Sequence, residues 1–191
     1  MKLELTDLPR LATQRLLLLL RPAPAHLAIS QALHGDPATH AFNPIGPATP
    51  GAAAHQFDTW QAHWHQHGFG YWALSRLDDP ERVLGFGGIM HKTVGNRPGL
   101  NLYYRLTSDA WGQGYASEMA WMALRVAFEL LDEPEVLGLV RPENVPSRRL
   151  LERLGLGIVD TCDDRPGLAP SLIYRLTAED YRRQSAAALQ G

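Results

Sequence analysis

The sequence is poor in cysteine and in net charge, and each shortage excludes a class of protein. Cys162 is the one cysteine among 191 residues, which excludes an intrachain disulfide and a zinc site built from several cysteines. Acidic residues number 20 and basic residues 18, so the formal charge is -2. Proteins whose main task is to grip nucleic acid usually carry a basic excess, and we therefore expect no direct nucleic-acid partner.

Long apolar runs are lacking as well. The densest run covers residues 16–20, between Arg15 and Arg21, whereas a membrane-spanning helix needs about 20 apolar residues. The run is also too short, and lies too far along the chain, for the core of a secretory signal peptide. We expect a cytoplasmic protein without a membrane partner.

What is present is the composition of one globular domain, with 45% hydrophobic and 20% charged residues in a chain long enough to bury a substantial core. Apolar periodicity and the positions of glycine and proline predict the elements. We predict strands over residues 11–21, 70–74, 83–91, 100–106, 136–140, 156–161 and 171–176. We predict helices over 24–33, 52–66, 117–131 and 144–155, and a closing helix capped by Thr177 and Asp180. This order predicts a mixed α/β fold with an antiparallel meander and a later strand–helix–strand unit.

A glycine turn joins the third meander strand to the next helix. Gly112 and Gly114 permit a tight turn and let a ligand approach the backbone. The helix that follows presents free N–H groups and its positive dipole end at the same place, which suits a phosphate. The turn is neither a Walker loop nor a dinucleotide fingerprint, because it lacks the Gly-Lys-Ser/Thr of the first and the third glycine of the second. Similar turns also occur where nothing binds.

The segment 140–156 is the second informative stretch. Asn144 and Ser147 stand where a strand ends and a helix starts. Taken alone, the segment is typical of an ordinary capped helix, in which Asn144 satisfies nearby backbone groups.

Taken together, the two segments resemble the GNAT superfamily of acyl-CoA-dependent N-acetyltransferases, most closely the branch that includes the ribosomal-protein alanine acetyltransferases RimJ and RimL. That pattern reads approximately Trp-Gly-x-Gly-Tyr-Ala-x-Glu, then Asn-x-x-Ser, and residues 111–118 and 144–147 match it. Residues 13–18 and 174–176 also resemble the family's first and last strands. The resemblance therefore covers most of the chain.

The resemblance implies a mostly antiparallel sheet of about seven strands, flanked by helices, with a central splay between two parallel strands. It implies one domain over residues 1–191, with acceptor-side elements in 11–75 and an acyl-CoA core in 100–155. The pantetheine arm of acetyl-CoA would lie in the splay, and the amides of the glycine turn would hold the pyrophosphate. The implied cofactor-binding residues are Tyr104, Arg105, Leu106, Gly112, Gln113, Gly114, Tyr115, Ala116, Ser117, Asn144, Ser147 and Arg148.

The implied reaction is direct attack of a neutral primary amine, from a peptide or a small molecule, on the thioester, with Asn144 and Ser147 as catalytic candidates. Many superfamily members carry a tyrosine acid seven residues after the asparagine, where this sequence has Leu151. Ser147 is then the acid candidate. The usual glutamate of the third meander strand is missing near Asn101, and Glu118 fits a helix-dipole role better than a base. The base stays unassigned, and water could serve.

Aromatic and histidine side chains cluster before residue 75. Three tryptophans are candidates for an acceptor wall, although most aromatic residues belong to cores; these are Trp60, Trp64 and Trp72. In the run of three histidines at 63, 65 and 67, only His63 and His67 share a helix face. Because the run offers no third ligand, we expect no metal.

Two other functions stay open on the sequence. A non-catalytic acyl-CoA-binding or regulatory protein on the same fold would explain the missing tyrosine and glutamate. A metal-binding protein could use the histidine run. The RimJ/RimL-like branch also allows a homodimer.

Overall fold

The structure, a computed structural model, describes residues 4–13, 17–165 and 167–188. It contains one sheet of eight strands: β1 Arg10–Ala12, β2 Leu17–Leu20, β3 Tyr71–Arg76, β4 Asp79–Val94, β5 Arg97–Leu106, β6 Glu135–Val140, β7 Gly157–Cys162 and β8 Ser171–Thr177. The spatial order is β1-β2-β3-β4-β5-β6-β8-β7. Neighbouring strands are antiparallel except β5 and β6, which are parallel. The predicted fold class is therefore confirmed.

Five α-helices cover the sheet in the described part of the chain: α1 Leu27–Gly35, α2 Pro50–His67, α3 Tyr115–Arg125, α4 Val145–Arg153 and α5 Ala178–Ala188. A π-helical turn, Val126–Leu130, continues α3. Gly68 ends α2 in the left-handed conformation, as its position predicts. At the start of α5, the Thr177 hydroxyl accepts a hydrogen bond from the Asp180 N–H at 3.2 Å, which confirms the predicted cap.

The N-terminal strand is the main difference from the sequence prediction. One strand was expected over residues 11–21, but β1 and β2 form an antiparallel pair in which Leu11 faces Leu19. Residues 14–16 lie outside the described part of the chain. The leucine run hid the hairpin, because its apolar pattern shows neither alternation nor a glycine or asparagine turn. The sheet therefore has eight strands rather than about seven.

The centre of the sheet is buried on both faces. Along β3, Trp72 and Leu74 join a large core that includes α3, whereas Tyr71 and Ala73 join a second core with α1 and α2. This split follows from the alternation of side chains along a strand. Helices therefore pack against the central strands from both sides.

Among the described helices, none combines the length with the apolar character that crossing a bilayer requires.

Candidate functional site

The parallel strands β5 and β6 separate almost as soon as they pair. Their register joins residues 100–101 to residues 136–137 only, while β4 and β8 keep pairing with their outer edges. A cavity of about 240 Å³ lies where the strands diverge, between residues 102–105 and 138–140. The predicted splay is therefore present, and its inner backbone edges are left for a ligand.

The glycine turn connects the end of β5 with α3. Gly112 and Gly114 have left-handed backbone angles, with φ of 73° and 82°, which glycine adopts without strain. A side chain at Gly112 would meet nothing within 4 Å, so the turn is open there. No described side chain caps the start of α3, and its first amide hydrogens stay available. These features fit a pyrophosphate group.

The side chains of this turn are engaged within the protein and are not available to bind a phosphate. The Gln113 amide donates to the Asp109 carbonyl at 2.8 Å, and the Trp111 indole N–H donates to the Leu106 carbonyl at 3.0 Å. Tyr115 is buried. The groups available to bind an anion are therefore the backbone N–H groups of the turn, and not its side chains.

Asn144 and Ser147 line the same cavity from the start of α4. The Asn144 side-chain oxygen accepts a hydrogen bond from the Ser147 backbone N–H at 3.2 Å, so the capping role read from the sequence is confirmed. Leu151, one turn further along α4, also lines the cavity. The position where many members of the GNAT superfamily carry a tyrosine is thus an apolar part of the wall.

Tyr104 lies beside Ser147 across the cleft. Its hydroxyl oxygen is buried and has no hydrogen-bond partner of ordinary geometry among the described residues. Burial raises the pKa of Tyr104 to about 12, and the nearby Ser147 side chain opposes part of that rise. Tyr104 therefore keeps its proton at neutral pH. A buried polar group without a partner is rare in proteins, and in a cavity wall it is available to a ligand.

Tyr103 belongs to a hydrogen-bond chain that leads away from the cavity. Its hydroxyl is 2.9 Å from His34 Nε2 and accepts from the Arg105 Nε–H at 3.3 Å. His34 Nδ1 is 2.7 Å from the Ser30 carbonyl, which can only accept, so Nδ1 carries the hydrogen and Nε2 accepts from Tyr103. Burial lowers the pKa of His34 to about 4, and the ring is neutral at neutral pH.

Guanidinium groups outnumber carboxylates around the cavity. Arg105, Arg141 and Arg165 line it, against Asp164. Arg141 is paired with Asp164 at 3.2 Å, whereas Arg105 donates to the Thr39 carbonyl at 2.6 Å. No carboxylate in the described part of the chain pairs with Arg105, so this wall carries uncompensated positive charge.

Of the twelve predicted cofactor residues, four line the cavity: Tyr104, Arg105, Asn144 and Ser147. The six predicted residues of the glycine turn and the start of α3 lie outside it, as do Leu106 and Arg148. Leu106 is 6% exposed and belongs to the core. The Arg148 guanidinium donates to the Tyr174 hydroxyl at 3.2 Å and to the Pro142 carbonyl at 3.2 Å. Arg148 is therefore held along α4 and does not line the cavity.

The three tryptophans are corrected as well. Trp60, Trp64 and Trp72 are at most 2% exposed and have no surface to offer an acceptor. The indole N–H groups of Trp64 and Trp72 are satisfied inside the core, by carbonyls at 2.8 and 2.9 Å. Trp60 packs behind the cleft, with its ring centroid 5.9 Å from that of Tyr103. Large aromatic side chains stabilise the core most where they are fully buried.

The loop between α1 and α2 supplies the wall that sequence reasoning missed. Thr39, Phe42, Asn43 and Pro44 line the cavity opposite α4. The prolines of this segment predict a loop, but nothing in the pattern says where the loop packs. Tyr103 and His34 were missed for the same reason, since their contact joins residues far apart in sequence.

Comparisons with known proteins agree with this geometry. Residues 17–157 match the family described as acetyltransferase (GNAT) domain. FsC-acetyl coenzyme A-N(2)-transacetylase from Aspergillus fumigatus is 30% identical over 133 residues, covering 66% of this chain and 53% of that protein. The chain thus spans about half the length of that curated relative.

Solved structures show the same fold. An acetyltransferase from Agrobacterium tumefaciens has a TM-score of 0.75 at 27% identity, covering 88% of this chain and 94% of that one. RimJ from Mycobacterium smegmatis has a TM-score of 0.70 at 19% identity over 94% of each chain, a likeness of fold alone. Because the family match extends over most of the chain, this protein belongs to the GNAT acetyltransferase family.

Proposed function

We propose that this protein transfers the acetyl group of acetyl-CoA to a primary amine held in the same cleft. One observation carries the proposal: β5 and β6 diverge after residues 100–101 and 136–137 and open a cavity lined by unpaired strand edges. The family match supports the reaction class, and the RimJ neighbour was solved with CoA-disulfide. When bound, acetyl-CoA supplies the reactive thioester carbonyl.

Several parts of the chain would hold this cosubstrate. The open amides of residues 112–116 suit the pyrophosphate. The inner backbone edge at residues 104–106 suits the amide groups of the pantetheine arm, because a strand edge offers unpaired donors and acceptors. Asn144 and Ser147 stand at the cavity, and Arg148 is the basic residue we assign to the 3'-phosphate. This would place the cosubstrate in the region 100–155.

The proton donor in this proposal is the Tyr104 hydroxyl, with Ser147 beside it. Tyr104 is protonated at neutral pH; its hydroxyl interacts with the nearby Ser147 side chain but makes no hydrogen bond of ordinary geometry in the described protein. A phenol is a better acid than an aliphatic hydroxyl. The pair therefore replaces the tyrosine acid that Leu151 cannot provide, and Ser147 serves mainly to position Tyr104.

The proton acceptor in this proposal is the Tyr103–His34 chain. An attacking amine must be neutral and must lose a proton as it reacts. Tyr103 lines the cavity, and its hydroxyl donates its hydrogen to the unprotonated Nε2 of the neutral His34. A proton accepted at the Tyr103 oxygen can thus pass to His34 Nε2 as the tyrosine hydrogen moves along its existing hydrogen bond. Because burial lowers the pKa of His34 to about 4, the ring would hold this proton only until it returns by the same path to water in the cleft.

The acceptor in this proposal is a primary amine without extra positive charge, on a peptide N-terminus or a small molecule. The uncompensated Arg105 and the loop residues Thr39 and Phe42 form its wall. Thr39 and Phe42 lie within the acceptor region 11–75, whereas Arg105 is contributed by β5. A polyamine would meet like charge there. The motif at residues 111–118 favours the RimJ/RimL-like branch. Cytoplasmic location and a homodimer stay predictions.

The test is release of CoA thiol by the purified protein with a panel of amines. We expect saturable release with uncharged monoamines or with peptides that have a free N-terminus, and a lower kcat/KM for spermidine. A reaction without amine gives the hydrolysis background. Tight CoA binding in calorimetry with no turnover on any amine would instead support a non-catalytic acyl-CoA-binding protein.

A further inference from the structure

Three histidines meet where α2 ends against β4, with His67 and His91 exposed and His63 largely buried beneath them. His63 and His67 come from the last turns of α2 and His91 from β4, and their ligand nitrogens all lie within 4.8 Å of one another. We propose that His63, His67 and His91 form a binding site for one divalent transition-metal ion, of which Zn²⁺ is the model case. The proposal is independent of acyl transfer.

The backbone positions of these residues suit a metal. His63 and His67 are four residues apart on a helix, so both rings project from one face. Ring centroids are 4.4 Å apart for His63 and His67, 5.6 Å for His63 and His91, and 4.8 Å for His67 and His91. A tetrahedral ion with metal–nitrogen bonds of about 2.0 Å separates its ligands by roughly 3.4 Å. The ligand nitrogens lie within 4.8 Å of one another. Small side-chain rotations of His67 and His91, which are exposed, would bring them to the tetrahedral separation.

His63 is already oriented as metal-bound histidines usually are. Its Nδ1 is 2.8 Å from the Phe69 carbonyl, so Nδ1 carries the hydrogen and Nε2 has the free lone pair. A backbone carbonyl in this position fixes the tautomer and the ring plane of a ligand. Nε2 now accepts the His91 backbone N–H at 3.1 Å, and coordination would exchange this one hydrogen bond for a metal bond.

The surroundings supply the other features of a site. Glu133 Oε1 is 3.2 Å from His91 Nε2, and carboxylates are frequent partners of metal-bound histidine. Phe69 closes one side, with its ring centroid 5.1 Å from that of His63. The His67 ring nitrogens have no hydrogen bond to the part of the chain that the structure describes. The fourth coordination position is left to water.

This site is separate from the cleft. His91 faces Leu100 in the β4–β5 register, and the first of the proposed reacting residues along β5 is Tyr103. Three residues of a strand span about 10 Å. An ion at the histidines would therefore not touch the reacting groups, and it would instead tie the end of α2 to β4. This inference replaces our sequence-based expectation of no metal.

The experiment titrates chelator-treated full-length protein with Co²⁺ and then with Zn²⁺. We expect a single saturable site, tetrahedral Co²⁺ absorption that Zn²⁺ abolishes, and a Tm that rises with Zn²⁺ concentration. His67→Ala and His91→Ala should each weaken Zn²⁺ binding at least about tenfold. His63 is not the first choice for substitution, because its two hydrogen bonds make it part of the folded frame.

The matched control is His65→Ala. His65 belongs to the same run but lies outside the group of three, so its loss should leave the affinity unchanged. Absence of a one-to-one site, or equal weakening by His65→Ala and His67→Ala, would overturn the proposal. Acetyl transfer is assayed in parallel, and a His67→Ala enzyme that keeps its turnover separates a failed metal site from a failed enzyme.

Discussion

Tyr103 and Tyr104 occupy the strand segment in which many GNAT members have a glutamate. Successive side chains of a strand point to opposite faces, and here they lead to opposite walls of the cleft. Tyr103 contacts His34 from α1, whereas Tyr104 lies beside Ser147 of α4. Both residues line the cavity. One tyrosine is thus suited to accept a proton and the other to donate one.

The Tyr104→Phe substitution tests this division. We expect kcat for acetyl transfer to fall roughly 100-fold, which is the low end for loss of a general acid. The unfolding free energy should hardly change, because the hydroxyl has no ordinary hydrogen-bond partner in the described structure and removing such a group is nearly neutral. Steady-state kinetics and urea unfolding measure the two effects.

Ser147→Ala is the companion variant. If Ser147 only positions Tyr104, its loss should lower kcat less than Tyr104→Phe does, and the double variant should resemble Tyr104→Phe. Unchanged turnover in Tyr104→Phe with a large loss in Ser147→Ala would return the acid role to Ser147. CoA affinity, measured by calorimetry, should stay near the wild-type value in Tyr104→Phe, because the backbone of residues 104–106, and not the Tyr104 hydroxyl, is assigned to the pantetheine arm.

At the scale of elements, the turn before α3 makes a prediction about cofactor binding. Gly112→Ala forces a side chain into left-handed backbone, which costs about 1 kcal/mol, and places a methyl group on the open side of the turn. We expect weaker CoA binding in calorimetry, by about tenfold or more, because that side of the turn is where the backbone amides are free.

Gly68→Ala is the matched control for this substitution. Gly68 has nearly the same angle, with φ of 74°, and also has nothing within 4 Å of an added side chain, but it ends α2. The two variants should lose similar stability, whereas Gly68→Ala should keep wild-type CoA affinity. Equal loss of affinity in both would show that the effect comes from general strain.

Most elements were predictable from sequence because their patterns are local. Residues only a few positions apart determine the caps at Gly68 and Thr177 and the three meander strands. The structure contains both caps and all three strands. The β1–β2 hairpin was missed because a leucine run carries no periodicity. The separation of β5 from β6 was expected only through a family resemblance, since no local pattern encodes where two parallel strands part.

At the scale of the whole molecule, what the sequence could not show is contact between distant segments. His91 lies well beyond the histidine run of α2, and only the packing of α2 on the sheet brings it there. The loop at Thr39 and Phe42 likewise reaches the cleft through tertiary packing. The positions of the tryptophans were ambiguous, because an aromatic residue that lines a pocket and one that lies in a core look the same in sequence.

Global stability depends on pH through buried histidine. His34 is 3% exposed and faces Tyr103 and Arg105 of β5 and His40 of the following turn. Its pKa falls from 6.5 to about 4, first through burial and then through Arg105 and His40, although the Ser30 carbonyl opposes the fall. Below pH 6.5 the unfolded chain therefore binds a proton that the folded chain does not. Folding is thus most favourable above pH 6.5, and the free energy of unfolding decreases progressively as the pH falls from 6.5 toward 4.

Between pH 7 and pH 5 this one group should lower the free energy of unfolding by about 2 kcal/mol. His34→Gln removes the titrating ring, so its unfolding free energy should fall less than that of the wild type over the same range. Urea unfolding at several pH values measures both slopes. His65→Gln, at an exposed position of α2, should keep the wild-type slope. Parallel slopes for wild type and His34→Gln would mean that the pKa of His34 is the same in the folded and the unfolded chain, and the lowering of that pKa by burial would then be wrong.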